Sequence, residues 1–410
     1  MKFTVGREAL EEAVAWVARA LPARPVVPVL GGMLLRASGD RLTLSCFDYE
    51  VSARMRVRAD VAEPGTFLVP GRLLVEIVRS LPAYPVEFGD DPDGVFLTCG
   101  EAAYSLAIVD PADYPELPGL PEVAGTADGG ALAAAIGQVT PAASRDDTLP
   151  MLTAVNIELD GATMTLAATD RYRLAVKDLG WTPAPAFTER GAGEQGKEQG
   201  KMALLVSART LADAARMMAP GTPAAIRLRT GGDAMIGFET GERLLTTRLL
   251  AGEFVRYKSR FPEEFGCTAD LPALAFAEAV RRVALVAERG APVQLSFAPG
   301  RVTVEAATPG RARARETVSA DFTGDEPVIA FSPHYLLDGV IAATTTVPSP
   351  PAGHGGRHDG DDGDHQHTAG IARVRLEFTS ASKPAVITPH SGAGDRAAFR
   401  YLVVPQRVPR

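Results

Sequence analysis

Hydrophobic positions along the 410-residue chain recur with two periods, and stretches of the two kinds alternate. Apolar residues at every third or fourth position, as in "REALEEAVAWVARAL" from Arg7, predict amphipathic helices. Alternating apolar and polar residues, as in "GGMLLRASGDRLTLSCF" from Gly31, predict strands, and the central "GD" predicts the hairpin turn. The chain is therefore expected to fold from helices and antiparallel hairpins together.

The order helix, strands, helix, strands occurs three times along the chain. In each unit the second helix follows a short apolar strand and a Pro or Ser, in "VPGR", "VSAR" and "FSPH", which are helix-start signals. Such a repeat predicts an α+β fold of three similar domains, each with two helices and antiparallel sheets. We place the domains at residues 1–122, 123–265 and 266–410.

Two segments interrupt the repeat, at residues 188–201 in the second unit and 348–370 in the third. Both are too polar and rich in glycine to bury apolar surface, so they are expected to be flexible surface insertions. The second insertion holds four of the six histidines beside aspartates. Without fixed geometry, such a tract predicts a solvated loop and no metal site.

Composition narrows the functional classes. Hydrophobic residues make up 46% of the chain, yet no apolar run approaches the roughly 18 residues that span a bilayer. The N-terminus lacks the pattern of a signal peptide, so a cytoplasmic protein without a membrane partner is expected. Cys46, Cys99 and Cys267 are widely spaced, which predicts buried free thiols. The net charge of -8 argues mildly against a protein coated in nucleic acid, but it allows a local basic lining.

Two segments resemble cofactor-binding motifs, but each lacks a feature that the motif requires. The segment "GAGEQGK" resembles a phosphate-binding loop, but Glu198 occupies the position where Ser or Thr would meet the metal. The "GAGDRA" from Gly392 leads into a predicted strand, whereas a dinucleotide fingerprint leads into a helix. No nucleophile or metalloprotease motif is present, so we expect no catalytic residues, no cofactor and no metal.

The stretch "LAATDRYRLAV", Leu166 to Val176, is the most charged short cluster in a structured region. An enzyme that uses Asp170, Arg171 and Arg173 is one interpretation, although no partner carboxylate or histidine lies nearby in sequence. The counterpart "LSCFDYEVSARM" in the first unit favours a second interpretation, a connection between strands. In that case Asp170 would hold the turn through hydrogen bonds to backbone.

Several motifs in this order make the chain resemble the bacterial DNA polymerase III beta subunit, the sliding clamp. They are "MKFTV", "RPVVPVLGGMLL", "SRDDTLPMLTAV", "ATDRYRLA", "SPHYLLDGV", "TSASKPAVI" and "YLVVPQRV". The resemblance covers nearly the whole chain apart from the insertions. It implies a non-catalytic, head-to-tail homodimer whose six domains close a ring around double-stranded DNA. It also implies docking of the polymerase III alpha subunit, the clamp loader and other proteins with a clamp-binding motif.

A ring that slides needs weak, sequence-independent phosphate contacts, for which arginines on the lining helices are suited. These are Arg72 and Arg79 in the first unit, Arg209 and Arg216 in the second, and Arg281 and Arg282 in the third. Arg24 and Arg145 match loop positions that contact DNA in the family. For the dimer interface the resemblance implies that Tyr104 faces Leu285 and Val286 of the other subunit, with core packing as the competing interpretation.

The resemblance further implies an apolar groove between the second and third domains that receives a short peptide from partner proteins. Its expected wall consists of Leu152, Thr169, Arg171, Tyr172, Arg173, Leu174, Val255, Ser382, Pro384, Leu402, Val403, Val404, Pro405, Gln406, Arg407 and Val408. At the position of Val255 the family commonly has Pro, and at or near the positions of Val404 and Gln406 it commonly has Met. Replacing flexible Met with Val and Gln should stiffen the groove and reduce its apolar area. An alternative is therefore a clamp paralogue with altered selectivity, acting as a decoy or inhibitor-resistant clamp.

Overall fold

The computed structural model describes residues 1–91, 94–107, 109–187, 201–345, 372–390 and 398–407. Residues 188–200 of the first predicted insertion and the whole of the second lie outside the described residues. The histidine-rich tract, the whole "GAGDRA" segment (392–397) and Val408 lie outside them as well.

Six α-helices of at least eight residues lie within the described part of the chain, two in each repeat. They are α1 (Arg7–Val17), α2 (Gly71–Ser80), α3 (Gly129–Val139), α4 (Ala208–Ala215), α5 (Ala273–Ala284) and α6 (Pro333–Thr344). Each matches a helix that the periodic pattern predicts, and the residues before α2, α4 and α6 are the expected Pro70, Ser207 and Ser332. The two helices of each repeat pack against each other.

The strands follow the order that the repeat predicts. In the first repeat they are β1 (Lys2–Val5), β2 (Gly32–Ser38), β3 (Arg41–Phe47), β4 (Val51–Glu63), β5 (Gly65–Pro70), β6 (Val86–Asp91), β7 (Gly94–Cys99) and β8 (Ala102–Leu106). In the second they are β9 (Glu122–Asp128), β10 (Ala154–Asp160), β11 (Thr163–Thr169), β12 (Arg173–Gly180), β13 (Thr182–Pro183), β14 (Lys201–Ser207), β15 (Pro223–Arg229), β16 (Met235–Thr240) and β17 (Arg243–Arg248). In the third they are β18 (Cys267–Pro272), β19 (Val293–Ala298), β20 (Arg301–Thr308), β21 (Ala312–Ser319), β22 (Asp321–Thr323), β23 (Val328–Phe331), β24 (Arg373–Phe378), β25 (Ala385–Pro389) and β26 (Phe399–Val403).

The strand before the first helix of each repeat, β1, β9 or β18, is absent from the predicted elements. These strands are short, and β9 and β18 contain small and acidic residues that give a weak period-two signal. Their pairing is long-range: β1 joins β4 to β6, and β18 joins β22 to β24. Tertiary contacts therefore decide these strands more than local sequence does.

Strand pairing continues across the boundaries between repeats. The last strand of the second repeat, β17, pairs with β4 of the first, and the last strand of the third, β26, pairs with β12 of the second. The sheets of neighbouring repeats are thereby fused into a 13-stranded and a 9-stranded sheet, beside a 4-stranded sheet of β21, β20, β19 and β23. We call the contact of β4 with β17 the first junction and that of β12 with β26 the second junction.

The helices cover one face of these sheets and share one extended apolar core with them. They also meet across both junctions. The Arg19 guanidinium lies 3.2 Å from the Asp213 carboxylate at the first, and Gln138 on α3 donates a 2.8 Å hydrogen bond to the Ala342 carbonyl on α6 at the second. The three cysteines are free and buried, as predicted. No helix in the described ranges is long and apolar enough to cross a membrane.

Alanine substitutions at two helical glycines should change the free energy of unfolding in opposite directions, which tests this packing. In Gly339→Ala the new Cβ would lie 2.5 Å from the ring of the fully buried Tyr401, so overpacking should lower the free energy of unfolding by about 1–3 kcal/mol. In Gly137→Ala on exposed α3 surface nothing lies within 4 Å, so better helix propensity should raise it by about 0.5–1 kcal/mol. Denaturant unfolding measures both. Equal effects of the same sign would contradict the packing of α6 on β26.

Candidate functional site

The second junction is built from strand β26 and the chain segment that follows it. Leu402 on β26 lies opposite Leu174 on β12. Beyond the strand, the Val404 amide donates a 2.9 Å hydrogen bond to the Tyr172 carbonyl, and the Gln406 amide donates a 2.7 Å hydrogen bond to the Ala330 carbonyl. The tail therefore crosses from the second repeat to the third and fixes the two against each other.

A small apolar cluster lies at this junction, separate from the main core. Its buried members are Ala167, Leu174, Val176, Tyr257 and Leu402, and Phe254, Phe261 and Val404 pack against them half-buried. Burial, together with the nearby Glu158 carboxylate, raises the pKa of the Tyr257 hydroxyl, so this residue stays neutral. The cluster gives the predicted groove an apolar floor.

Three aromatic residues of this site are missing from the sequence prediction. Phe254, Tyr257 and Phe261 come from the connector between the second and third repeats, in "FVRYKSRF". The segment has only the short 3-10 turn Lys258–Arg260, so no helical or strand period in the sequence marks these residues. The Arg400 guanidinium adds a cation–π contact, 5.0 Å from the centre of the Phe261 ring.

The predicted groove residues differ in how far they are accessible. Leu152, Thr169, Arg173, Leu174, Leu402 and Val403 are buried; Pro384, Val404, Pro405 and Gln406 are half-buried; Arg171, Tyr172, Val255, Ser382 and Arg407 are exposed. The interpretation of Val403 as a wall residue is corrected, because alternation along β26 turns its fully buried side chain into the main core. Leu402, its neighbour, faces the junction cluster.

The charged stretch beside the groove is a hydrogen-bonded turn between β11 and β12. The Asp170 carboxylate accepts 3.0 Å hydrogen bonds from the Tyr172 and Arg173 amides, as the sequence predicts. Arg171 has a φ of 80°, a conformation that side chains other than glycine rarely adopt. In the first repeat, Asp48 accepts from two amides in the same way, and Tyr49 has a φ of 75°. The two turns are structural counterparts.

Arg173, a predicted wall residue, directs its charge to two carboxylates of the protein itself. Its side chain is 6% exposed. The guanidinium donates to Asp170 at 2.9 Å and to Asp338 on α6, and it stacks 4.5 Å from the centre of the Tyr335 ring. Because Asp338 belongs to the third repeat, this buried ion pair ties the turn of the second repeat to a helix of the third.

A pair of tyrosines, one exposed and one half-buried, lies beside this ion pair. Tyr172 is 55% exposed and stacks on Tyr335, with ring centres 6.2 Å apart. His334 adjoins them, and its ring centre lies 5.9 Å from that of Tyr335. Neither His334 nor Tyr335 is among the predicted groove residues, since only tertiary contact brings α6 beside the turn. An exposed aromatic platform beside an apolar floor suits leucine or aromatic side chains of a peptide.

The first junction lacks such a groove even though its strands pair in the same way. Where the second junction has Leu174 opposite Leu402, the first has Ser52 opposite Thr246, and their hydroxyls form a buried 2.8 Å hydrogen bond. Tyr114 from the connector fills the adjoining space, where its hydroxyl accepts a 2.7 Å hydrogen bond from the Phe47 amide. Polar side chains of the first junction therefore stand where the second junction has its apolar cluster.

A cavity of about 880 Å³ lies beside the second connector. It is lined by β10, β14 and the connector, and it includes Val255 of the predicted groove residues together with Phe254 and Tyr257 of the apolar cluster. The Lys258 ammonium closes one wall through a 2.7 Å contact with Glu158. This cavity and the tyrosine platform are therefore distinct features of the same junction.

The predicted DNA-contacting arginines are all exposed and lie on the helical layer or on loops beside it. Arg282 is engaged by the Glu316 carboxylate at 2.6 Å, and Arg216 lies 3.7 Å from Asp213, so their charges are partly offset. Within the described residues, no carboxylate lies within 4 Å of five others. These are Arg24, Arg79, Arg145, Arg209 and Arg281. Arg72 donates to the Pro22 carbonyl.

The predicted interface residues lie at the two ends of the sheet system. Tyr104 is half-buried on β8, the terminal strand of the 13-stranded sheet. Leu285, at the end of α5, is 84% exposed, which rules out core packing within one chain for this residue. The Val286 carbonyl accepts a 2.6 Å hydrogen bond from Thr308 on β20.

Comparisons with known proteins agree over the whole chain. Models of the N-terminal, central and C-terminal domains of the DNA polymerase III beta subunit match residues 1–118, 127–255 and 258–347. The beta sliding clamp of Streptomyces coelicolor is 43% identical, with all of both chains covered, and the beta sliding clamp homolog GriR of Streptomyces muensis is 38% identical at the same coverage. The crystal structure of the Bacillus subtilis DNA polymerase sliding clamp has the same fold, with a TM-score of 0.82, 23% identity and complete coverage of both chains.

Removal of the buried guanidinium should loosen the second junction. Arg173→Met would leave the Asp170 and Asp338 carboxylates without their cation, so the free energy of unfolding should fall by about 3 kcal/mol in denaturant titrations. The neighbouring Arg171→Met, on an exposed side chain, is the matched control and should change it by less than about 0.5 kcal/mol. Equal losses in both variants would contradict the assigned role of Arg173.

Proposed function

The chain belongs to the family of bacterial DNA polymerase III beta subunits, and from this membership we infer that it is a DNA sliding clamp. It is a non-catalytic processivity factor that encircles duplex DNA as a head-to-tail homodimer of six domains. It tethers DNA polymerase III and other clamp-binding proteins. An enzyme that uses Asp170, Arg171 and Arg173 is no longer needed to explain these residues, since the turn and the buried ion pair account for them.

We propose that the domain boundaries fall in the two connectors, at 122/123 and 265/266, although β9 already begins at Glu122. The first connector follows β8 and carries Tyr114, and the second follows β17 and carries Tyr257. Each tyrosine packs against the face of a sheet opposite the helices. A cytoplasmic location suits a protein that works on replicating DNA, and it stays part of the proposal.

Strand pairing between repeats is the observation that best supports a closed ring. At each junction the third strand of the hairpin set in one repeat pairs with the last strand of the next repeat, β4 with β17 and β12 with β26. The same rule leaves β21 and β8 as terminal strands. Pairing of β21 with β8 of a second subunit repeats the geometry, and a repeated heterologous contact that closes forms a ring.

We propose that Tyr104, Leu285 and Val286 pack together in this interface. Leu285 is the most exposed of the three at 84%, and it is among the most exposed large apolar side chains of the described residues. Tyr104 lies on the strand that the rule pairs with β21. Burial of such side chains against a second subunit supplies apolar stabilisation that backbone pairing alone lacks.

We propose that the helical layer faces the DNA, with Arg24 and Arg145 as the principal contacts. Both are exposed loop residues without a carboxylate within 4 Å in the described chain, so their charge is available to phosphates. Arg72, Arg79, Arg209, Arg216, Arg281 and Arg282 would add weaker contacts. The overall charge of -8 leaves the rest of the surface acidic, which limits non-specific adhesion while the lining attracts phosphate.

We propose that the groove at the second junction binds the clamp-binding peptides of partner proteins. The cluster around Leu174 and Leu402 forms the floor, Tyr172 forms an exposed wall, and the amides and carbonyls of the tail limit how the groove can open. Leucine or aromatic side chains of the peptide would bury there, while Arg171 and Arg407, both exposed, could meet its carboxylates.

A clamp with altered inhibitor selectivity is the second candidate function. Val255, Val404 and Gln406 replace residues that the family resemblance leads us to expect as Pro and Met. The chain is also 38% identical to a beta sliding clamp homolog, GriR, so its similarity is not confined to proteins named simply as beta sliding clamps. The 43% identity to a beta sliding clamp favours the replicative function.

The ring predicts topological retention on DNA. The protein loaded on circular duplex should stay bound through gel filtration. It should be released when the circle is linearised, because the ring can then slide off the free DNA ends. Leu285→Asp should convert the dimer to monomer and abolish retention, since it would place a charge in an apolar interface.

Leu274→Asp is the matched control for this experiment. Leu274 is a second exposed leucine, 67% exposed, near the other end of α5 and about 16 Å away along the helix. It should leave dimerisation unchanged. Retention by a strict monomer, or retention that survives linearisation, would refute the ring. A lower salt dependence of loading in Arg24→Gln and Arg145→Gln would support their phosphate contacts.

The groove predicts opposite effects of two substitutions on peptide affinity. Tyr172→Ala should weaken binding of a consensus clamp-binding peptide by tenfold or more, on the order expected for a lost aromatic anchor. Gln406→Met should strengthen it a few-fold by adding apolar area. Fluorescence polarisation measures both. Tyr84→Ala, on another exposed tyrosine, should have no effect, and an unchanged affinity in Tyr172→Ala would remove the groove assignment.

A further inference from the structure

A cleft of about 300 Å³ lies at the first junction, on the face of the sheet opposite the helices. Three arginines line it, Arg36 on β2 and Arg54 and Arg56 on β4, and we call it the arginine cleft. Leu117 and Leu120 from the first connector form an apolar wall. None of these residues belongs to the DNA-facing layer, the subunit interface or the peptide groove.

Strand register explains why the three guanidiniums converge. Arg36 lies opposite Thr43 on β3, and Thr43 lies opposite Arg56 on β4. Arg54 is two residues before Arg56, so both side chains leave the same face of the strand. Arg54 also lies opposite Leu244 on β17, which places the cleft across the junction of two repeats.

The carboxylates that line the cleft are already engaged. Glu242 contacts Arg41 at 2.6 Å and Arg56 at 2.8 Å, and Glu239 contacts Arg227 at 2.6 Å. Among the described residues, no carboxylate lies within 4 Å of the Arg36 or Arg54 guanidinium. Glu116, the acidic residue beside Leu117 on the connector, is exposed and is not part of the lining.

Arg54 lies in an unfavourable electrostatic environment. It is half-buried, and burial together with the like charges of Arg56 and Arg36 lowers the pKa of its guanidinium. An arginine stays charged at neutral pH, so this repulsion persists in the free protein. A negative group between Arg36 and Arg54 would relieve it.

The corresponding face of the second repeat is neutralised from within. There the acidic residues Glu158 on β10 and Asp178 on β12 are met by Lys258 at 2.7 Å and by Arg400 at 3.5 Å. The cations come from the connector and from the neighbouring repeat. The first repeat carries the opposite charge on this face, and its connector supplies leucines where a counter-charge would be needed.

We propose that the arginine cleft is a second docking site, which binds an acidic segment of a partner protein that carries a leucine-sized residue next to a carboxylate. Arginine forms paired hydrogen bonds with carboxylates, and Arg36 and Arg54 are the two guanidiniums free to do so. Leu120, 46% exposed, offers the apolar contact beside them. Charge complementarity selects an acidic occupant, and the leucine wall selects a peptide over a bare anion. The site goes beyond the clamp function and does not depend on it.

The test is binding of a short fluorescein-labelled peptide of alternating glutamate and leucine, followed by fluorescence polarisation with the full chain. Arg36→Gln and Arg54→Gln should each weaken binding by about tenfold, as expected for loss of a charged hydrogen bond. Arg58→Gln is the matched control, since it removes the same charge from the same face of β4 outside the cleft lining, and it should leave affinity unchanged. Exposed Arg36 keeps the test valid if Arg54→Gln unfolds.

Four outcomes would overturn the proposal. The first is equal weakening by Arg58→Gln, which would indicate general charge attraction. The second is equal affinity for a peptide with serine in place of leucine, and the third is displacement by inorganic phosphate as effective as by unlabelled peptide. The fourth is loss of binding in Tyr172→Ala, which would place the peptide in the groove of the second junction. DNA retention measured on the same variants separates this result from the clamp function, because the cleft substitutions should leave retention intact.

Discussion

Backbone hydrogen bonds between strands of neighbouring repeats hold the three repeats in one fixed arrangement. A strand edge exposes unpaired amides and carbonyls, and this fold satisfies them by pairing β4 with β17 and β12 with β26. The helices meet along the same junctions, so the sheet and helix layers turn together. Among the terminal strands of the described sheets, β8 and β21 are the two that the same pairing rule leaves for the proposed contact with a second subunit.

Function at the two junctions differs because a few side chains differ on an identical backbone plan. Leu174 and Leu402 make the second junction apolar, and the buried Arg173 with Asp338 holds the neighbouring turn against α6. Ser52 and Thr246 hydrogen-bond to each other at the first junction, and Tyr114 packs beside them with Leu34, Phe47 and Leu68. At the first junction no carboxylate of the described residues lies within 4 Å of the Arg36 or Arg54 guanidinium, and the two line the arginine cleft.

The sequence predicted much of the candidate site but misjudged what individual side chains do. The motif around Thr169 and Tyr172 predicts the groove that we propose, and Asp170 holds the turn as expected. Arg173 and Val403 were placed on the wall, yet both are buried, one in an ion pair and one in the core. A motif match gives position along the chain, whereas the facing of a side chain depends on what packs behind it. The aromatic residues of the second connector were missed because most of that segment lies outside helices and strands, so it has no hydrophobic period to detect.

The hydrophobic pattern by itself determined the six helices, most of the strands and their threefold order, because local periodicity is enough to define an amphipathic element. The wide spacing of Cys46, Cys99 and Cys267 separately predicted free buried thiols, which the structure shows. Only the tertiary structure decided which strands join across repeats, where β1, β9 and β18 pair, and which arginines remain without a partner. These depend on residues that are distant in sequence, such as Arg173 with Asp338 or Arg54 with Leu244, and no local pattern records them.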